Sequence, residues 1–204
     1  MKILVTGAKG FVGKNLVATL KTIKEGKNRT TKLPTDLQIC EFDVDTDKSL
    51  LDEYCNDCDF VVNLAGVNRP QNTDEFMDGN FGFASELLET LKKYKNACPV
   101  LLSSSIQATL DNPYGQSKKA GEDLFFNYSE ETGAKVLVYR FPNIFGKWCR
   151  PNYNSAIATF CHNIANDLSI QVNDRNHKMT LVYIDDVVDE IINAMCGNET
   201  KDGN

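Results

Sequence analysis

Short apolar runs alternate with amphipathic stretches along this chain. The runs are Ile3 to Thr6, Leu37 to Phe42, Phe60 to Leu64, Pro99 to Ser103 and Val136 to Arg140, with a sixth from Thr180 to Ile184. Their length and β-branched content predict strands. Between them Leu16, Leu20 and Ile23 recur at helical spacing, as do Phe83, Leu87, Leu88 and Leu91, which predicts helices that bury one stripe in a core. Such alternation joins parallel strands through crossover helices, so the predicted class is α/β with a doubly wound parallel sheet. Lys24 to Asp36 is polar, basic and interrupted by Pro34, and reads as a loop. Gly146 to Asn154 mixes Trp, Tyr, Pro and basic residues after a strand, and is expected at the carboxyl ends of the sheet, where such folds bind ligands.

The first run passes directly into Thr6-Gly7-Ala8-Lys9-Gly10-Phe11-Val12-Gly13, and a helix follows. Gly7 permits a tight turn, Gly10 lets backbone N–H groups approach a pyrophosphate, and Gly13 allows the helix to pack closely on the strand. The helix N-terminus adds positive potential for the phosphates. Further along, Asn112-Pro113 is a helix-start signal. It places Tyr114 and Lys118 four residues apart on one helical face. A phenol titrates near ~10, and a neighbouring ammonium favours its anion, making the phenol a better acid. Carbonyl reduction needs such an acid, because hydride reaches carbon while a proton reaches the developing alkoxide. Ser103-Ser104-Ser105 ends the preceding strand, and Ser105 or Ser104 can supply a hydroxyl to the same oxygen.

Composition narrows the class. With 204 residues the chain encloses one core, so residues 1–196 read as a single domain and 197–204 as a tail or shortened linker. A net charge of −6 with 42% hydrophobic residues gives no reason to expect nucleic acid. No stretch approaches the ~20 apolar residues of a membrane span, and the first run leads into a glycine turn instead of a signal-peptide core, so a cytoplasmic protein is expected. Seven cysteines at irregular spacing fit a reducing compartment. Cys55 and Cys58 form a lone C-x-x-C with no second pair and no histidine cluster, so no metal site is expected, and Asp57 and Asp59 beside it oppose a reactive thiolate.

The spacing T-G-x-x-G-F-x-G resembles the extended short-chain dehydrogenase/reductases, whose fold is Rossmann-like with a small C-terminal substrate-binding portion. The resemblance implies that Gly7, Gly10, Phe11, Val12 and Gly13 hold a dinucleotide, that Leu64, Ala65 and Gly66 line it, and that Asn80 is the structural helix asparagine. It implies further cofactor contacts at Ser103 and Phe141, a Ser105, Tyr114, Lys118 catalytic set, and Asn143 of Arg140-Phe-Pro-Asn-Ile-Phe-Gly146 on a sugar diphosphate. Arg69, Lys147, Arg150 and Arg175 are candidate substrate ligands, with Trp148 or Tyr153 as a stacking wall. Met179 stands where the family carries an arginine, which turns attention to Arg175 and Lys178. Ile106-Gln107 replaces the Asp-Glu of sugar 4,6-dehydratases, so dehydration is not expected, and the stretch from Ser105 to Tyr114 is shorter than in sugar 4-epimerases.

Longer strings, among them Asn63 to Pro70, Leu101 to Ala108, Asp111 to Gly115 and Phe145 to Cys149, resemble the N-terminal reductase domain of bifunctional capsular-polysaccharide enzymes. The resemblance implies NAD(P)H-dependent reduction at C4 of a UDP-2-acetamido-2,6-dideoxy-4-hexulose, a UDP-linked 4-keto-6-deoxy-hexosamine. It also implies a separate C-terminal cupin domain, absent from these 204 residues, and a homodimer as one assembly. An epimerase with tightly bound NAD and a non-catalytic dinucleotide sensor are the competing readings. For the cofactor, two registers are open. If Leu37 to Phe42 is the second strand, Asp43 meets a ribose 2'-hydroxyl and NADH follows. If Asp43-Val44 is a later adenine-contacting pair, the ribose faces Arg29, Thr30 and Lys32, which suit a 2'-phosphate. The second register is preferred, and NADPH with it.

Overall fold

The computed structural model describes residues 1–28, 30–67 and 74–201. Strand β1 (Lys2–Thr6) leads into helix α1 (Phe11–Lys24), then β2 (Gln38–Phe42), α2 (Ser49–Asp57) and β3 (Phe60–Asn63). A short helix α3 (Asp74–Met77) runs through a π-helical turn, Asp78–Gly82, into α4 (Phe83–Lys93). Strand β4 (Val100–Ser105), a 3-10 turn at Ile106–Thr109, α5 (Pro113–Thr132) and β5 (Val136–Phe141) follow. The chain continues through β6 (Asn143–Phe145), α6 (Ala156–Ala165), β7 (Leu181–Tyr183) and α7 (Ile184–Met195).

Five parallel strands form one sheet in the order β2-β1-β3-β4-β5. Alternation along each strand divides the core into two layers. Ile3, Val5, Phe60, Val62 and Leu101 pack with α1 and α7 through Leu16, Leu20, Val187 and Ile191. Leu4, Val61, Val100 and Leu102 face the other way, against Leu87, Leu88 and Leu91 of α4 and Phe125 and Tyr128 of α5. The expected doubly wound sheet is therefore present, and all five N-terminal runs enter it. The sixth run instead becomes β7, which pairs with β6 in a separate two-stranded sheet.

The chain leaves β1 toward β2 on one side and returns to β3 on the other, so the strand order reverses beside β1. A crevice opens at the carboxyl ends there. Helix α6 buries no side chain, and Ile164, Leu168, Ile170 and Val172 around it are exposed. Among the described residues no helix is long and apolar enough to cross a membrane.

Phe125 is fully buried between α5 and the sheet. Phe125→Ala is expected to destabilise the fold by about 3–5 kcal/mol, measured as a shift in urea-unfolding midpoint at unchanged slope.

Candidate active site

The glycine turn closes on its neighbours at backbone contact. Gly7 has φ +65°, and a Cβ there would lie 2.7 Å from the Ala65 nitrogen. A Cβ at Gly13 would lie 2.2 Å from the Gly7 carbonyl oxygen. No other residue fits either place, so the turn, the start of α1 and the Leu64–Gly66 segment form one cradle. Phe11 and Val12 pack their side chains against the core, leaving the backbone to face the turn. The first turn of α1 carries no acidic residue, so its positive end meets no competing carboxylate. Thr6 Oγ1 donates to Asn63 Oδ1 at 2.6 Å, tying the tips of β1 and β3 together. The cradle fits a dinucleotide pyrophosphate.

Asp43 follows directly on β2, which pairs residue by residue with β1. Its carboxylate accepts the Lys9 backbone N–H at 2.7 Å and the Val44 N–H at 2.9 Å, and the Val44 side chain is wholly exposed. This is the first of the two registers, and it corrects the preferred one. Helix α1 carries the chain away from the turn, so the basic Lys24–Asp36 loop lies at the amino ends of the strands. There the N-terminal ammonium donates to the Asp36 carbonyl, and Gln38 N–H to the Met1 carbonyl. Thr30 and Lys32 are thus remote from the crevice, and Arg29 lies outside the described residues. The basic groups near the turn are Lys9, which pairs with Asp45, and Lys14; with Ala8, Lys21, Glu41 and Trp148 they line a cavity of about 600 Å³ along α1.

The second half of the site hangs from β4. Asn112 caps α5 by accepting the Gly115 N–H at 2.8 Å, and Pro113 occupies the first turn. Gly115 admits no side chain, since a Cβ would lie 2.3 Å from the Gln107 carbonyl oxygen and 2.4 Å from that of Leu110. That seat turns the short Ser105–Tyr114 connection back on itself. It brings the Tyr114 phenol close enough to the Ser105 hydroxyl for the hydroxyl to favour the phenolate. Lys118 Nζ donates to the Ser103 carbonyl at 3.3 Å and lies 5.7 Å from the Tyr114 ring centroid. A Cβ on Gly66 would come 3.3 Å from that ammonium and 2.6 Å from Asn80 Oδ1. Asn80, aimed by the π-helical turn, spans Val67 and the Ser117 hydroxyl. Phe141 sits opposite Ser105 in the β4–β5 register.

Electrostatics differ from the expectation at one point. Burial pushes Lys118 down to about 8, with the Glu122 carboxylate opposing the shift. Burial also pushes the Tyr114 phenol up, partly offset by the Ser105 hydrogen bond. The Lys118 ammonium addresses the Ser103 carbonyl and the face of the Tyr114 ring.

Ser104 has a different partner. Its Oγ donates to Glu122 Oε1 at 2.6 Å, on the sheet face covered by α5. Arg140, opposite Ser104 in register, donates from Nε at 2.8 Å and from an Nη at 2.6 Å to the same carboxylate. Ser104 is thereby committed to the helix, and only Ser105 meets Tyr114. Glu122 escaped the sequence reading; an acid four residues beyond Lys118 on a core-facing stripe was the available signal.

The remaining candidates are scattered. Asn143 is exposed on β6 and donates toward the Thr180 carbonyl at 3.4 Å. Lys147 pairs with Asp185 at 2.9 Å, and its carbonyl accepts from buried Asn15. Trp148 is 56% exposed and lines the cavity along α1 together with Ala8 and Lys9 of the glycine turn. Arg150 stacks on Tyr153, with 5.4 Å from guanidinium carbon to ring centroid, and Arg175 is exposed. Arg69 lies outside the described residues.

The sequence profile described as "NAD dependent epimerase/dehydratase family" matches residues 3–203. The chain belongs to this family. Among curated relatives, the UDP-2-acetamido-2,6-beta-L-arabino-hexul-4-ose reductase of Pseudomonas aeruginosa is 45% identical over 97% of this chain and 50% of its own length. UDP-glucuronate 4-epimerase 2 of Arabidopsis thaliana is 28% identical over all of this chain and 56% of its own. The chain thus spans about half the length of these relatives. The crystal structure of the capsular polysaccharide assembling protein CapF of Staphylococcus aureus superposes with a TM-score of 0.84 at 47% identity, over the full chain and 51% of that protein. A UDP-glucuronic acid 4-epimerase from Bacillus cereus, solved with NAD, shares the fold at TM-score 0.76 and 23% identity, over 96% of this chain and 74% of its own.

Two measurements check the geometry. Ser104→Ala removes a hydrogen bond to a buried charge and is expected to cost about 1.5–3 kcal/mol of stability by urea unfolding. Lys118 has a folded value of about 8 against 10.5 for an ordinary lysine, so the unfolded chain holds more protons between those values and stability gains from this group as pH rises through that window. Lys118→Met is therefore expected to stabilise the protein at pH 7, with a gain that shrinks toward pH 10.

Proposed function

We propose that this chain reduces the C4 keto group of a UDP-2-acetamido-2,6-dideoxy-4-hexulose, using a reduced nicotinamide dinucleotide. The observation that carries the proposal is the meeting of Ser105, Tyr114 and Lys118 at the carboxyl end of β4, across the crevice from a glycine cradle. The 45% identity to a reductase of that substrate class supports it.

The bound dinucleotide supplies hydride. In this reading Tyr114 Oη holds the proton destined for the carbonyl oxygen, and Ser105 Oγ orients that oxygen by a second hydrogen bond. Lys118 adds positive charge beside the developing anion and is the group placed to refill the Tyr114 proton. Ile106 and Gln107 offer no acid–base pair for eliminating water. Asn143, Lys147, Arg150 and Arg175, with Arg69, are the proposed ligands of the UDP diphosphate, and Val44 offers an apolar surface for adenine. For the choice of reductant two groups compete: Asp43 at the end of β2 favours NADH, and Lys9 and Lys14 are the basic groups that the 2'-phosphate of NADPH would meet. A cupin domain that supplies the epimerised substrate and a homodimeric assembly belong to the same proposal.

The protein mixed with NADPH, or separately with NADH, and a UDP-4-keto-6-deoxy-hexosamine is expected to consume one cofactor stoichiometrically, followed by nicotinamide absorbance. Tyr114→Phe is expected to slow that consumption about 10²–10⁴-fold. Sugar interconversion without net oxidation would instead identify an epimerase.

A further inference from the structure

The C-x-x-C of Cys55 and Cys58 suggests a pair that the fold does not make. Cys58 instead faces Cys98, forty residues later, with the two sulfurs 3.7 Å apart. Cys58 lies just before β3 and Cys98 just before β4. These strands are hydrogen-bonded neighbours, and Val61 N–H donates to the Pro99 carbonyl across the junction. Adjacent strands run ~4.8 Å apart, which falls within the ~4.4–6.8 Å that disulfide-linked Cα atoms span.

Asn96 locks the two loops together. Its side-chain amide donates to the Cys55 carbonyl at 2.9 Å and the Cys58 carbonyl at 3.0 Å, with Cys58 Sγ at 3.6 Å. Its Oδ1 accepts the Cys98 N–H at 3.0 Å, and its own carbonyl accepts the Tyr128 hydroxyl at 3.1 Å. The pair is thus held in register by backbone on both sides. Cys58 is buried and Cys98 only partly so, which gives an oxidant access from the Cys98 side. The two thiols share their proton unequally. The hydrogen bond from Cys98, with help from Lys2, favours the Cys58 thiolate against the opposing effects of burial and the Asp57 carboxylate, while Cys98 is held protonated. Cys55 is pushed up to about 12 by burial and stays a thiol.

We propose that Cys58 and Cys98 form an oxidation site, in which a peroxide converts the facing thiols to a disulfide that staples the start of β3 to the start of β4. The Cys58 thiolate attacks one peroxide oxygen, the O–O bond breaks, and the sulfur is oxidised to a sulfenic acid while the second oxygen leaves as hydroxide and takes up a proton. Cys98 then gives up its proton, its sulfur attacks the Cys58 sulfur, the S–O bond breaks, and a second water leaves. Two thiols and one hydrogen peroxide yield one disulfide and two waters. The linkage forms at the amino ends of the strands, and the crevice lies at the opposite ends, so it is independent of the reaction proposed above.

Hydrogen peroxide added to the folded protein, followed by alkylation and non-reducing peptide mapping, tests this directly. The expected result is a linked pair of peptides carrying Cys58 and Cys98, the loss of two hydrogens from the intact mass, and full reversal by dithiothreitol. Cys161→Ser, which removes an exposed thiol, is expected to leave the linkage intact, and Cys98→Ser to abolish it. Because Cys98→Ser alters a packed position, alkylation of the wild-type protein before and after peroxide provides the independent count: two thiols per chain should become protected together. A Cys55–Cys58 linkage, or oxidation of Cys161 while Cys58 and Cys98 remain alkylatable, would overturn the assignment.

Discussion

A single buried carboxylate determines where the chemistry can sit. Glu122 is fully buried on the sheet-facing side of α5, and such a charge is tolerated only when its partners are fixed. Ser104 and Arg140 provide them from two adjacent strands, so α5 has one rotational setting and one height on the sheet. Lys118 and Tyr114 lie one and two helical repeats N-terminal on the same face, and they inherit that setting. The helix brings them over the end of β4 because Glu122 cannot lie elsewhere. Gly115 completes the constraint by letting the Gln107–Leu110 turn press against the helix.

The opposite wall is built by exclusion instead of attraction. At Gly7 and Gly13 a single added carbon would meet backbone at 2.7 and 2.2 Å, so the strand tip and helix start approach as closely as main chain allows. The Thr6–Asn63 hydrogen bond holds β3 at the same height. One wall therefore depends on satisfied polar side chains and the other on the absence of side chains, and the crevice between them is fixed from both directions.

Much of this could be read along the chain. Strand runs, the glycine turn, the Asn112-Pro113 cap and the Tyr114–Lys118 pair depend on local pattern, and local pattern survived folding. What failed depended on which end of an element a residue reaches. The basic Lys24–Asp36 loop reads as a phosphate site until α1 is seen to carry it to the amino ends. Thr180 to Ile184 has strand propensity, but its partner is β6 and not the main sheet. The family resemblance favours Ser105 over Ser104, and the two separate in the fold because successive side chains in a strand face opposite ways.

Helix α6 carries a different consequence. Its ten residues include Ile157, Phe160 and Ile164, yet none is fully buried, while β1 and most of β3 and β4 are sealed from water. Opening α6 exposes little new apolar surface, and opening the sheet exposes nearly all of it, so the two belong to different cooperative units. Such a difference in burial places the amide protons of α6 with locally opening segments and those of the central strands with the globally protected core. A global unfolding curve therefore reports on the glycine cradle and the Glu122 anchor, and is nearly blind to the segment between β6 and β7.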